Sequence, residues 1–153
     1  MKKKIKIIAE IANAHQGCIL NAYSLAKSFA NVGADAIKFQ IYFADELLVK
    51  NHKRYQHFKK QSFSEAKWNF LLSKTKKLGV EIYADIFGIK AYKIAKKHKL
   101  DGYKIHSSDL NNTPLLELLS KDNKKIFLAI GGSTILEILN ALEILNKNNN
   151  QKE

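Results

Sequence analysis

Glu10, Lys38, Asp85 and Lys104 each interrupt an otherwise apolar segment near its C-terminal end. A lysine inside a strand is costly to bury without a partner. Two lysines and two acids at equivalent depths therefore ask for a common explanation. Lys38 and Lys104 would be fixed positive charges where a phosphate or carboxylate could rest. Gln40 shares the Lys38 face, and Ser107, Ser108 and the backbone of Gly131-Gly132 can donate hydrogen bonds to the same anion. Glu10 and Asp85 can accept protons or hold the lysines charged. The chemistry is that of a site for a small phosphorylated or carboxylated molecule, and a structural ion-pair network is the competing reading. No serine sits in a strand–turn–helix elbow, which argues against a Ser-His-Asp hydrolase. His15, on the loop before Gly17, reads as a surface or packing residue, and His52, His57 and His98 have no metal-ligand spacing.

These residues need strands to carry them. Ile5–Ile11, Asp35–Ile41, Val80–Phe87, Gly102–Leu110 and Lys125–Gly131 are runs rich in branched and aromatic residues. In the fourth, Tyr103 and Ile105 alternate with Lys104 and His106, so the apolar and ionisable pairs take opposite faces. Helical spacing lies between the runs. Ala22, Leu25, Ala26, Phe29 and Val32 form one face, with Asn21 as cap and Gly33 as stop. After a long polar and aromatic path from Tyr42 to Gln61, Ser62 with Glu65 predicts a capping box ahead of the face Trp68, Leu71, Leu72, Thr75 and Leu78. Gly88 opens a helix through Ala91, Ile94 and Ala95. Thr113-Pro114 starts the next, with a capping hydroxyl and a proline at the first helical position. Thr134 with Glu137 caps a last helix through Leu145, and residues 146–153 form a polar tail expected to fray. The pattern is β-α repeated five times, with connections long enough for right-handed crossovers between parallel strands. In such folds the site lies at the C-terminal strand ends, where the four charged residues fall. No dinucleotide-binding or P-loop glycine motif is present.

Composition narrows the classes. With 153 residues and 46% hydrophobic content the chain can build one sizeable core. The net charge is +12, yet of 26 basic residues only Arg54 is an arginine. The lysines are scattered through every segment, which reads as compositional bias and not as a nucleic-acid surface. One cysteine, Cys18, excludes an internal disulfide. Lys2-Lys3-Lys4 precedes only a short, interrupted apolar run, which is neither a signal peptide nor a membrane span, so a cytoplasmic location is expected.

Three stretches together resemble the N-acetylneuraminate (sialic acid) synthase family, whose relatives make pseudaminic and legionaminic acids. They are residues 8–17, Ile-Ala-Glu-Ile-Ala-Asn-Ala-His-Gln-Gly; residues 33–40, Gly-Ala-Asp-Ala-Ile-Lys-Phe-Gln; and residues 103–110, Tyr-Lys-Ile-His-Ser-Ser-Asp-Leu. The resemblance runs from about Ile7 to Leu145, with the motifs in order on successive strands. It implies a TIM-barrel type of α/β fold and condensation of phosphoenolpyruvate with the open-chain aldehyde of an N-acylated sugar. It implies a divalent metal, manganese or magnesium, polarising that aldehyde in the complete enzyme. Phosphoenolpyruvate would be bound by Lys38, Gln40, Asp85, Lys104 and Ser107, and Glu10 would be the catalytic acid near the reacting carbons.

Departures accompany the resemblance. The family's asparagine before the loop histidine is Ala14 here. A third-strand threonine that helps bind phosphate is Asp85, which would repel phosphate unless a lysine pairs with it. A fifth-strand hydroxyl is lost at Ala129. A complete barrel needs eight βα units and about 250 residues, and this sequence supplies five. The family's metal-binding histidines lie on later strands, so no metal ligand is expected in this chain. The sequence thus reads as residues 1–145 of an incomplete (β/α) barrel, the N-terminal part of a synthase, inactive alone and either homo-oligomeric or completed by a C-terminal half. The alternative is a non-catalytic remnant or assembly module that pairs with a second chain through its open edges.

Overall fold

The computed structural model describes residues 5–147. Its single sheet has five strands: β1 (Ile8–Glu10), β2 (Ala36–Ile41), β3 (Glu81–Ile86), β4 (Gly102–Ile105) and β5 (Lys125–Leu128). All neighbours pair in parallel and the spatial order is β1-β2-β3-β4-β5. Among the described residues there are seven α-helices: α1 (Ile19–Asn31), α2 (Ala44–Leu47), α3 (Tyr55–Gln61), α4 (Glu65–Lys76), α5 (Ile89–Lys97), α6 (Thr113–Ser120) and α7 (Ile135–Asn146). Sequential parallel strands joined by crossovers of one hand place the long helices on one face and leave the other face concave, as in a β/α barrel.

The apolar alternate residues drive that layering. Ile37, Phe39 and Ile41 on β2, Ile82, Ala84 and Ile86 on β3, and Tyr103 and Ile105 on β4 are buried in one core with the helices. Phe39 meets Trp68 of α4 edge-on at 6.1 Å, and Tyr103 meets Tyr92 of α5 at 6.4 Å. Burial of this stripe supplies the main driving force for the fold. The opposite residues of the same strands, Lys38, Gln40, Glu81, Tyr83, Asp85 and Lys104, line the concave face. Tyr83 and Phe127 pack there at 5.6 Å. Gly102 sits directly across from Tyr83 in the ladder, and a Cβ at Gly102 would lie inside the Tyr83 ring and 2.7 Å from the Lys125 carbonyl.

Several boundaries differ from the sequence reading. β1 is three residues long, because Ile5 and Ile7 lie beyond the β2 ladder at an open edge. Cys18, not Asn21, precedes α1, and Val32 is exposed beyond its last turn. The path from Tyr42 to Gln61 holds α2 and α3. Ser64, not Ser62, caps α4 by accepting from Lys67 N–H, while the Ser62 hydroxyl bonds back to the Phe58 carbonyl. Asn112, not Thr113, caps α6. The box of Thr134 and Glu137 at α7 is present as expected. β4 ends at Ile105, and the next residues wind into a 3-10 turn, Ser107–Asp109, which the His106 ring caps. Of the polar tail, residues 148–153 lie outside the described residues.

β1 and β5 are the edges of the sheet. Near β5, Ile135, Leu136, Leu139 and Leu142 of α7 are exposed, and Phe127 is partly exposed on the concave face. No helix among the described residues is long and apolar enough to cross a membrane.

Candidate functional site

The ladder register brings the charged residues together. Glu10 is aligned with Lys38 across β1 and β2, and Asp85 is aligned with Gln40 on one side and Lys104 on the other. Lys38 Nζ stands 3.1 Å from both Asp85 oxygens and also forms an ion pair with Glu10. Lys104 Nζ donates to Asp85 Oδ2 at 3.3 Å. Glu10, Lys38, Asp85 and Lys104 therefore form one contiguous group at the C-terminal ends of four strands. Two carboxylates and two ammonium groups leave it with no net charge when all are ionised.

Exposure within the group is uneven. Asp85 is wholly buried and the Lys38 side chain is 10% exposed, whereas Lys104 and Glu10 retain 29% and 38%. Burial pulls Lys38 below the ordinary lysine range. The Asp85 charge and hydrogen bond oppose that pull, and the Lys104 charge adds to it. The Lys38 ammonium makes a forked contact to both Asp85 oxygens and pairs with one oxygen of Glu10. Lys104, the more exposed of the two lysines, makes one side-chain hydrogen bond, to Asp85, among the described residues. Any molecule entering the concave face thus meets Lys104 and Glu10 first.

The remaining predicted residues surround this group less tightly. Gln40 is half-buried on the same face. Ser107 opens the 3-10 turn after β4 and makes no hydrogen bond to the group among the described residues. His106 stacks on Phe87 at 5.4 Å and bonds Ser108. Gly131 and Gly132 are exposed in the turn after β5. His15 is a packing residue: it is buried, lies 4.5 Å from the Phe63 ring and accepts from Gly17 N–H at 3.0 Å. Its burial holds the ring below the usual histidine range.

Two aromatic residues near the group were not expected from the sequence. Tyr83, two residues before Asp85 and aligned with Lys38 in the ladder, packs on Phe127 and donates its hydroxyl to Glu81. Its period-two relation to Asp85 was the available signal. Tyr42 follows β2, bonds Asn13 Oδ1 at 3.0 Å, and is pushed up to about 12 by burial. It ties the loop carrying His15 to the end of β2. No three His, Cys, Asp or Glu side chains converge as a metal site among the described residues.

The fold and the site have known counterparts. A crystal structure of N-acetylneuraminic acid (sialic acid) synthetase from Leptospira borgpetersenii superposes with a TM-score of 0.88 at 26% identity, covering 96% of this chain and 52% of that one. Among curated relatives, the uncharacterized protein MJ1065 of Methanocaldococcus jannaschii is 35% identical over 142 residues, 93% of this chain and 42% of the relative. The N,N'-diacetyllegionaminic acid synthase of Campylobacter jejuni is 27% identical over 165 residues, 99% of this chain and 49% of the relative. The chain spans less than half the length of these two curated relatives. Its five parallel βα units are those of an incomplete TIM-type barrel, about five of the eight that close one. The model of the NeuB family matches residues 25–153, from within α1 to the end of the sequence, and the chain belongs to that family.

Proposed function

We propose that this chain carries the phosphoenolpyruvate half-site of a nonulosonic acid synthase, which condenses phosphoenolpyruvate with an N-acylated sugar aldehyde. The observation that supports this most is the pair Lys38 and Lys104 at the ends of β2 and β4, joined through Asp85 on the concave face. Lys104, the more exposed of the two lysines, takes an anionic oxygen of the ligand. Gln40 and Ser107 lie at the same strand ends to orient it. Glu10, the most exposed member of the group, is the residue placed to hold or pass a proton near the reacting carbons. The relatives named for such syntheses, and a synthetase solved with citrate, are consistent with a site for small anions.

The full reaction needs more than these residues. The exposed β5 edge and the apolar face of α7 fit further βα units, supplied by a C-terminal half or a second copy. Manganese or magnesium would find its ligands on those units. The chain described here is thus a binding platform, inactive alone.

Calorimetric titration with phosphoenolpyruvate tests the reading. Saturable binding that a Lys104→Ala variant loses supports it, with folding of the variant checked by circular dichroism. No binding by the folded chain, alone or when joined to the C-terminal half of the Campylobacter jejuni relative, overturns it. A second reading, an assembly module without catalysis, rests on the open α7 face and predicts tight association with a partner but no phosphoenolpyruvate binding.

A further inference from the structure

The Lys38 ammonium is paired with two carboxylates before any ligand arrives, and one of the two is far more exposed than the other. Asp85 is wholly buried, bridges both lysines, and is flanked by Gln40 and Lys104 in the ladder. Its carboxylate is held by both lysines at once and is sealed from solvent. Glu10 sits on β1, a three-residue edge strand, and its side chain is 38% exposed. It pairs with Lys38 from the more exposed side of the group.

We propose that Glu10 is an internal stand-in for the ligand's anion, displaced from Lys38 when the ligand binds, and that this exchange selects doubly charged anions over monocarboxylates. The proposal rests on the anion-site reading above and deepens it. A monocarboxylate arriving at Lys38 replaces one carboxylate contact by another and gains little. A phosphoryl dianion gains a stronger charge-assisted bond to Lys38 and reaches Lys104 as well. Displacement also frees the Glu10 carboxyl at the moment the ligand is seated, beside the bound molecule. Lys38 then changes partner and Asp85 does not, so the group keeps its buried anchor while its exposed arm turns over.

Binding of inorganic phosphate at pH 8, and of acetate as the monocarboxylate probe, is measured by calorimetry on the wild-type chain and three variants. Glu10→Gln removes the competing charge. Glu10→Asp keeps the charge but is one methylene shorter, which draws the carboxylate back from Lys38. Each is expected to tighten phosphate binding about tenfold, the scale of one charge contact at a protein surface. Acetate binding, weak in the wild type, is expected to rise by at least as much, so the discrimination narrows. Lys38→Met added to Glu10→Gln is expected to abolish the gain. Phosphate binding that is unchanged or weaker in Glu10→Gln overturns the proposal. So does a gain in Glu10→Gln that is absent in Glu10→Asp, because simple charge repulsion would then explain it. Absence of phosphate binding in every folded variant overturns the anion-site reading itself, a different outcome from either of these.

Discussion

Asp85 turns both of its oxygens toward Lys38 Nζ at 3.1 Å while exposing none of its own surface. The pair is the fixed point of the concave face, since Lys104 and Glu10 each attach to it. Removing one partner strands the other. Asp85→Ala leaves two neighbouring ammonium groups without their shared carboxylate, and is expected to cost about 3–5 kcal/mol, most of an ordinary domain's margin. The double variant Lys38→Met, Asp85→Leu is expected to recover most of that loss, because the two buried positions then hold no charge, while Lys104 and Glu10, which lose their partners, are partly exposed and remain hydrated. Urea unfolding at neutral pH reads both, and a loss below about 1 kcal/mol for Asp85→Ala would contradict the assignment of Asp85 as anchor.

Gly102 is held to glycine by its neighbour across the ladder. The Tyr83 ring occupies the space of a Cβ, and the Lys125 carbonyl closes the other side. Gly102→Ala is expected to destabilise by about 1–3 kcal/mol through overpacking. Tyr83→Leu in the same chain is expected to relieve part of the strain, giving a favourable coupling in a double-mutant cycle. Additive losses would show that the ring yields without cost.

His15 gives the chain a pH dependence with a definite sign. Burial holds its folded pKa below the ordinary value of 6.5. Above that value the ring is neutral in both folded and unfolded chains, and its contribution is complete. As pH falls through it, the unfolded chain takes up a proton that the folded chain resists, so stability declines until the folded pKa is passed. His15→Asn keeps an acceptor for Gly17 N–H, two residues on, without a titrating group. The difference between wild-type and variant unfolding free energies is expected to shrink from pH 8 to pH 5. A constant difference over that range would remove His15 from the account.

The α7 face is apolar without being part of the core. Ile135, Leu136 and Leu139 are more than half exposed, in contrast to Ala141 and Leu145 on the same helix. Leu139→Glu is therefore expected to change the unfolding free energy by no more than about 0.5 kcal/mol. It is expected to reduce self-association at high concentration, measured by sedimentation velocity. Marked destabilisation would mean that the face is already packed.

The strand centres were legible in the sequence because branched residues alternate there with a few polar ones. That alternation put Glu10, Lys38, Asp85 and Lys104 on one face correctly. Strand ends were less legible, since they depend on the neighbour's length: β1 stops where β2 stops pairing with it, whatever the β propensity of Ile5. Caps were decided by geometry between near-equivalent residues, Ser62 against Ser64 and Asn112 against Thr113. The helices α2 and α3 were hidden by their polar and aromatic composition. They are held by tertiary contacts such as the Tyr55 hydroxyl on Asp45 and Tyr42 against Phe58 at 5.6 Å. At the site, the sequence offered two lysines and two acids as equals. Only the three-dimensional arrangement separates a sealed carboxylate, Asp85, from an exposed one, Glu10.

The sheet order also bears on how the chain is made. Because the strands lie side by side in the order of their synthesis, every strand pairing joins neighbours along the chain. Each βα unit can dock on its predecessor soon after it emerges, without waiting for the strands that follow. Growth by accretion always has a leading edge, and β5 with the bare leucines of α7 is that edge at five units. What is an exposed surface at the end of residues 5–147 is, along the assembly path, the same kind of landing site that β2, β3 and β4 each presented to the strand that followed.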